Sequence, residues 1–66
     1  MRIRINDEWK QFDDPMTVAE LLEQLGLVPL RVAVERNREI VRRKDYQQTH
    51  LADEDQIEIV TLVGGG

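Results

Sequence analysis

The sequence predicts an α+β fold, a mixed sheet of about five strands packed on one helix, and three observations carry that reading. Polar and apolar residues alternate in short runs near both ends of the chain. One segment between them repeats valine and leucine at helical spacing. Turn-forming residues separate each such run from the next. The 66 residues make a single domain, close to the lower limit at which a hydrophobic core holds a fold unaided.

Arg2-Ile3-Arg4-Ile5 has the period of a half-buried strand. Asn6-Asp7-Glu8 has turn chemistry, and Trp9 to Phe12 reads as the returning strand of a hairpin. Trp9 and Phe12 differ in parity, so the run leaves open which of its faces is buried. Asp13-Asp14-Pro15 breaks the sheet. Thr17-Val18-Ala19-Glu20 is a capping box, in which the threonine hydroxyl accepts from the Glu20 N–H and the glutamate accepts from the Thr17 N–H. Val18, Leu21, Leu22 and Leu25 then form one apolar stripe, while Glu20, Glu23 and Gln24 keep the other side wet. Burial of such a stripe is worth roughly 6–12 kcal/mol before entropy is charged against it. Gly26 sits where a left-handed stop is needed.

Pro29 marks the exit from the helix. Arg31 to Glu35 alternates again, with Val32 and Val34 on one face, Arg36-Asn37-Arg38 reads as a turn, and Glu39-Ile40-Val41 as a short partner strand. Lys44 to His50 is polar, irregular or a single helical turn, anchored by Tyr46 and Leu51. Asp53-Glu54-Asp55-Gln56 reads as an acidic turn. Ile57 to Leu62 is the last strand, with Ile57 and Ile59 to one side and Glu58 and Val60 to the other. A hairpin, a helix across the sheet and a closing strand returning beside the first make the β-grasp arrangement. The central place of the last strand comes from that fold and not from spacing, and a plain α+β sandwich with another strand order stays open.

Composition narrows the function. Hydrophobic residues make up 41% and charged residues 33%, as in folded soluble chains. Cysteine is absent, which leaves no disulfide, thiolate metal site or thiol nucleophile and suits a reducing cytoplasm. No apolar run approaches the ~20 residues of a membrane span, and the strand-like start is not a signal peptide. The net charge of −4 argues against nucleic-acid binding. A single histidine, His50, without a neighbouring ligand candidate argues against metal. Few nucleophile or base pairs and a small core argue against catalysis within the chain. The cluster Arg36, Arg38, Arg42, Arg43 and Lys44 reads as a solvated rim around a turn. Trp9, Phe12 and Tyr46 are too scattered for base stacking and are expected in the core.

The chemistry lies at the end, Leu62-Val63-Gly64-Gly65-Gly66. The expected division is a folded domain over residues 1–62 and a flexible tail over 63–66 that carries the reactive glycine. A frayed terminus or a glycine linker is one reading of such a tail. The other begins from what glycines on a rigid domain can do. Without Cβ atoms they lie in a channel too narrow for side chains, and the segment from Leu62 reaches roughly 17 Å when extended. The terminal carboxylate is ionised at neutral pH. It can attack the α-phosphorus of a nucleotide to form an acyl adenylate, and a sulfur nucleophile can then displace AMP to leave a thiocarboxylate. Val60 and Leu62, expected on the open face beside the tail, are candidate anchors on a partner.

Over essentially its full length the sequence resembles the ThiS family, the thiamine sulfur carriers. The likeness rests on Ile5-Asn6, on Thr17-Val18-Ala19-Glu20-Leu21-Leu22, on Val34-Glu35-Arg36-Asn37 with Glu39-Ile40-Val41, and on the final Leu62-Val63-Gly64-Gly65-Gly66. Many relatives place a proline and an arginine after the Ile-Val pair, where this chain has Arg42-Arg43; members commonly end in two glycines, and three also fit the pattern. The resemblance implies a carrier and not an enzyme. Gly66 would be adenylated by an E1-like activating enzyme of the ThiF type with Mg-ATP. It would then be loaded with sulfur drawn from cysteine through a desulfurase, giving a C-terminal thioglycine. The sulfur would go to a thiazole synthase of the ThiG type, where it attacks a sugar-derived imine. Val63, Gly64 and Gly65 would thread the partners' channels, and the chain itself would hold no cofactor. Three other readings stay open: a sulfur carrier of another pathway, such as the small subunit of molybdopterin synthase; a β-grasp binding module whose glycines are a linker; and a ubiquitin-style protein modifier that shares the activation step.

Overall fold

The computed structural model describes residues 1–62. Two hairpins, a helix and a closing strand follow in the expected order. The strands are β1 (Arg2–Ile5), β2 (Glu8–Gln11), β3 (Val32–Arg36), β4 (Glu39–Val41) and β5 (Gln56–Thr61), and the helix α1 is Val18–Gln24. Short 3-10 turns at Pro29–Arg31 and Arg43–Asp45 fill the connections. The sheet order is β2-β1-β5-β3-β4, with β5 parallel to β1 and every other pairing antiparallel. The last strand is therefore central. No helix among the described residues is long and apolar enough to cross a membrane.

Both hairpins turn on two residues in the left-handed region, Asn6 and Asp7 (φ 47° and 69°) and Asn37 and Arg38 (φ 51° and 72°). That geometry matches the right-handed twist of the flanking strands and closes each hairpin at once, Ile5 against Glu8 and Arg36 against Glu39. This corrects the boundary read from sequence. The returning strand starts at Glu8, and Phe12 lies just past its end, where its N–H donates to the Met1 carbonyl at 2.7 Å. It also corrects the place of Trp9. Opposite Arg4 on the open face, the residue is 46% exposed, and the Arg2 guanidinium stacks 4.2 Å from its ring centroid.

The helix is fixed at both ends by local chemistry. Thr17 Oγ1 accepts from the Glu20 N–H at 3.2 Å, and Glu20 Oε1 accepts from the Thr17 N–H at 2.8 Å. The next two orphan donors of the first turn are met from the loop that follows β4, Val18 N–H by the Thr49 carbonyl and Ala19 N–H by that of Tyr46. At the other end Gly26 adopts φ +72°. Its N–H donates to the Glu23 carbonyl and the Leu27 N–H to that of Leu22, the paired bonds of a Schellman stop.

Ile3, Ile5, Val32, Val34, Ile57 and Ile59 point from one face of the sheet to Val18, Leu21 and Leu22 of the helix. Met16, Tyr46 and Leu51 complete this core. Leu25, the fourth residue of the expected stripe, is only partly buried, because it is already the helix cap.

Candidate functional site

The candidate site is the outgoing end of β5 and the sheet face around it. β3 pairs with β5 along its length, from Arg36 against Ile57 to Val32 against Thr61. β1 pairs with it only at Arg4–Gln56 and Ile5–Ile57. Beyond Ile57 the side chain of Asn6 takes over: its Nδ2 donates to the Ile59 carbonyl at 3.1 Å and its Oδ1 accepts from the Ile59 N–H at 2.8 Å. A side-chain amide thus stands in for the next peptide group of β1. Leu62, the last described residue, donates its N–H to the Arg31 carbonyl at 2.8 Å.

The other end of β5 hangs on Asp55. This residue read from sequence as one of several acidic turn residues, yet it is buried. Its carboxylate accepts from Arg36 Nε at 2.8 Å, from the Ala52 N–H at 2.8 Å and from Asn37 Nδ2 at 3.0 Å. Asn37 Oδ1 in turn accepts from the Gln56 N–H at 2.9 Å. Burial pushes the carboxyl upward, but the hydrogen bonds from Ala52, Asn37 and Arg36, with the Arg36 charge, outweigh it and hold the group below its ordinary value. Arg36 is therefore not part of a free basic rim. Arg43 Nε donates to the Pro29 carbonyl, while Arg38, Arg42 and Lys44 are exposed as expected of a rim.

The open face of the sheet carries the candidate anchors. Val60 is 58% and Leu62 47% exposed, on the side away from the helix as their parity predicts. Ala33 stands opposite Val60 across the β3–β5 pairing, and Ile40 of β4, 77% exposed, stands opposite Glu35. A shallow groove at the sheet edge past the end of β4 is lined by Ala33, Ile40, Leu62 and Arg42 together with the core residues Val32, Val34 and Tyr46, and Val60 lies outside it. The sequence reading missed Ile40 and Ala33 as members of this patch. The alternation of β3, carried across the short hairpin to β4, is the signal that finds them. Val63, Gly64, Gly65 and Gly66 lie outside the described residues, so the tail and its reactive glycine are not part of this geometry. Among the described residues no group of three or more potential ligands is placed to hold a metal ion.

The model of the ThiS family matches residues 3–66. The chain belongs to the ThiS family. Among members of that family, the sulfur carrier protein ThiS of Bacillus subtilis is 44% identical over 59 residues, covering 89% of this chain and 86% of the relative. That of Escherichia coli is 38% identical over the whole of both chains. The crystal structure of the ThiS protein of Geobacter metallireducens superposes with a TM-score of 0.86 at 30% identity, over the whole of both chains. The β-grasp sheet order is thus a property this chain shares with a solved ThiS structure. A protein named thiazole synthase in Paramagnetospirillum magneticum is 47% identical over all 66 residues, which make up 20% of its length. The chain spans about a fifth of such relatives.

Proposed function

We propose that this chain is a sulfur carrier for thiamine thiazole synthesis, with the sulfur held as a thiocarboxylate on Gly66. The observation that carries the reading is the end-to-end match to the E. coli carrier, together with a family match that runs through residue 66. Gly66 aligns with the final position of a protein of the same length whose name states sulfur carriage.

In this reading the chain is a co-substrate that partner enzymes work on, and it acts in the cytoplasm. An E1-like activating enzyme of the ThiF type supplies Mg-ATP. A Gly66 carboxylate oxygen attacks the α-phosphorus, pyrophosphate leaves, and an acyl adenylate results. The outer sulfur of a persulfide that a desulfurase has made from cysteine attacks the acyl carbon and AMP leaves; a thiol then attacks the sulfur next to the donor, the S–S bond of the acyl disulfide breaks, and the carboxylate has exchanged one oxygen for sulfur. Thiazole synthase then receives the thiocarboxylate. Support for that last partner comes from relatives named thiazole synthase, in which a stretch matching this whole chain is part of the same polypeptide. The chain contributes reach and position. Asn6, β3 and the Arg31 carbonyl hold β5 up to Leu62, Val63 and the glycines enter the partner's channel, and Val60 and Leu62 seat the domain on the partner.

ATP–pyrophosphate exchange by the activating enzyme tests the first step. Exchange stimulated by the full chain and abolished by deletion of Gly65 and Gly66 is expected; exchange indifferent to that deletion contradicts the assignment of the reacting carboxylate to the terminal glycine.

A further inference from the structure

The open face holds, beside its apolar patch, two carboxylates that the fold itself does not use. Glu35 of β3 and Glu58 of β5 are direct register partners. Side chains so opposed start about 4.5–5.5 Å apart at Cβ, and like charges in that relation destabilise a sheet. Both residues are exposed. Among the described residues the ion pairs are Arg2–Glu54, Arg4–Asp7 and Arg36–Asp55, and neither Glu35 nor Glu58 has one. Ile40 faces Glu35 from β4, the Val60–Ala33 pair lies one step nearer the chain's exit and Gln56 one step back, while Arg42, one step beyond Ile40, forms no ion pair with either carboxylate among the described residues.

A folded domain of this size gains nothing from an uncompensated pair of like charges on its central strands. The pair has the chemistry of one half of an interface. A guanidinium presents a planar fork of donors that can bridge two carboxylates, and its methylene stem can lie along Ile40 and Val60. A lysine offers one compact charge and no such fork. We propose that Glu35 and Glu58, framed by Ala33, Ile40 and Val60, receive an arginine of a protein partner, and that this partner is the thiazole synthase. The inference rests on the reading of the chain as a sulfur carrier. It commits to the synthase because relatives carry both units in one polypeptide. The face adjoins Leu62, where the described chain ends, so a partner that takes the tail also covers these carboxylates. In this arrangement the apolar residues supply contact area, and the glutamates set the orientation in which the domain is held.

The test is a binding titration of the full-length chain against thiazole synthase from the same organism, at low and at moderate salt. Glu35→Gln with Glu58→Gln keeps shape and removes charge. The doubly substituted chain is expected to bind about tenfold or more weakly, with a flatter salt dependence, because a charge-assisted contact has gone. The same chain, free, is expected to melt no lower than the parent, since a repulsion has been removed; this separates lost docking from lost folding. Unchanged affinity and salt dependence overturn the proposal and leave the carrier reading intact. Absence of binding by the unsubstituted chain overturns the synthase partnership and this docking with it, while sulfur loading of Gly66 is read separately by mass.

Discussion

Among the described residues Asp55 is the one charged residue that is buried. It joins Arg36 and Asn37 of the second hairpin to the start of β5, so one carboxylate fixes the relation of the two strand pairs that meet at the centre of the sheet. Asp55→Ala leaves the Ala52 N–H, the Asn37 amide and the Arg36 guanidinium without their acceptor. A loss of roughly 2–4 kcal/mol is expected in urea unfolding. The sign with pH follows from the depressed carboxyl. Its folded-state value lies below the unfolded one, so its contribution is complete above the ordinary aspartate range and fades as pH falls toward the lowered value. Acid unfolding of the parent chain should show this component, and the Asp55→Ala chain should lack it. None of this was legible beforehand, because Asp53-Glu54-Asp55 has no internal signal that singles out one carboxylate. The partners lie 18 and 19 residues away, and only the folded sheet brings them together. Asn6 is a similar case: its place in a turn was visible, but its bonds to Ile59 cross 53 residues.

At the scale of elements, what is encoded locally was read well. The capping box of α1 and the left-handed stop at Gly26 stand where the sequence puts them, since each depends on residues within a single turn. Gly26→Ala isolates the stop. An added Cβ would meet nothing within 4 Å, so the whole penalty is the backbone's at φ +72°. A loss of about 1 kcal/mol is expected in thermal or urea unfolding, with core packing unchanged. Strand edges were read less well. Both hairpins use two-residue turns, which made Glu8 a strand residue and left Phe12 outside. The register of that turn places Trp9 on the open face, beneath Arg2, and so decides the question that the opposite parities of Trp9 and Phe12 leave open in the sequence.

At the scale of the whole molecule, the parallel pairing of β1 with β5 is the feature that matters for function. It puts the last strand in the middle of the sheet, so the segment leading to the glycines is held by neighbours on both sides until Ile59. Spacing could not show this, and the fold resemblance supplied it; the solved ThiS structure shares the arrangement. The open face beside the exit presents Val60, Leu62, Ile40 and Ala33 together, of which the last strand alone announced two. Val60→Asp tests that face. Its side chain lies outside the core, so melting should change little, while a charge in an apolar contact should slow adenylation by about tenfold or more. Unaltered adenylation kinetics would remove Val60 from the docking surface.

The central claim is that Gly66 carries sulfur, and intact mass tests it most directly. The chain is incubated with its activating enzyme, Mg-ATP and a sulfide source, and then weighed. The account predicts a gain equal to the exchange of one oxygen for sulfur, absent when Gly65 and Gly66 are deleted. An unchanged mass, under conditions that load the E. coli carrier, would contradict it and turn the glycines into a linker on a binding module.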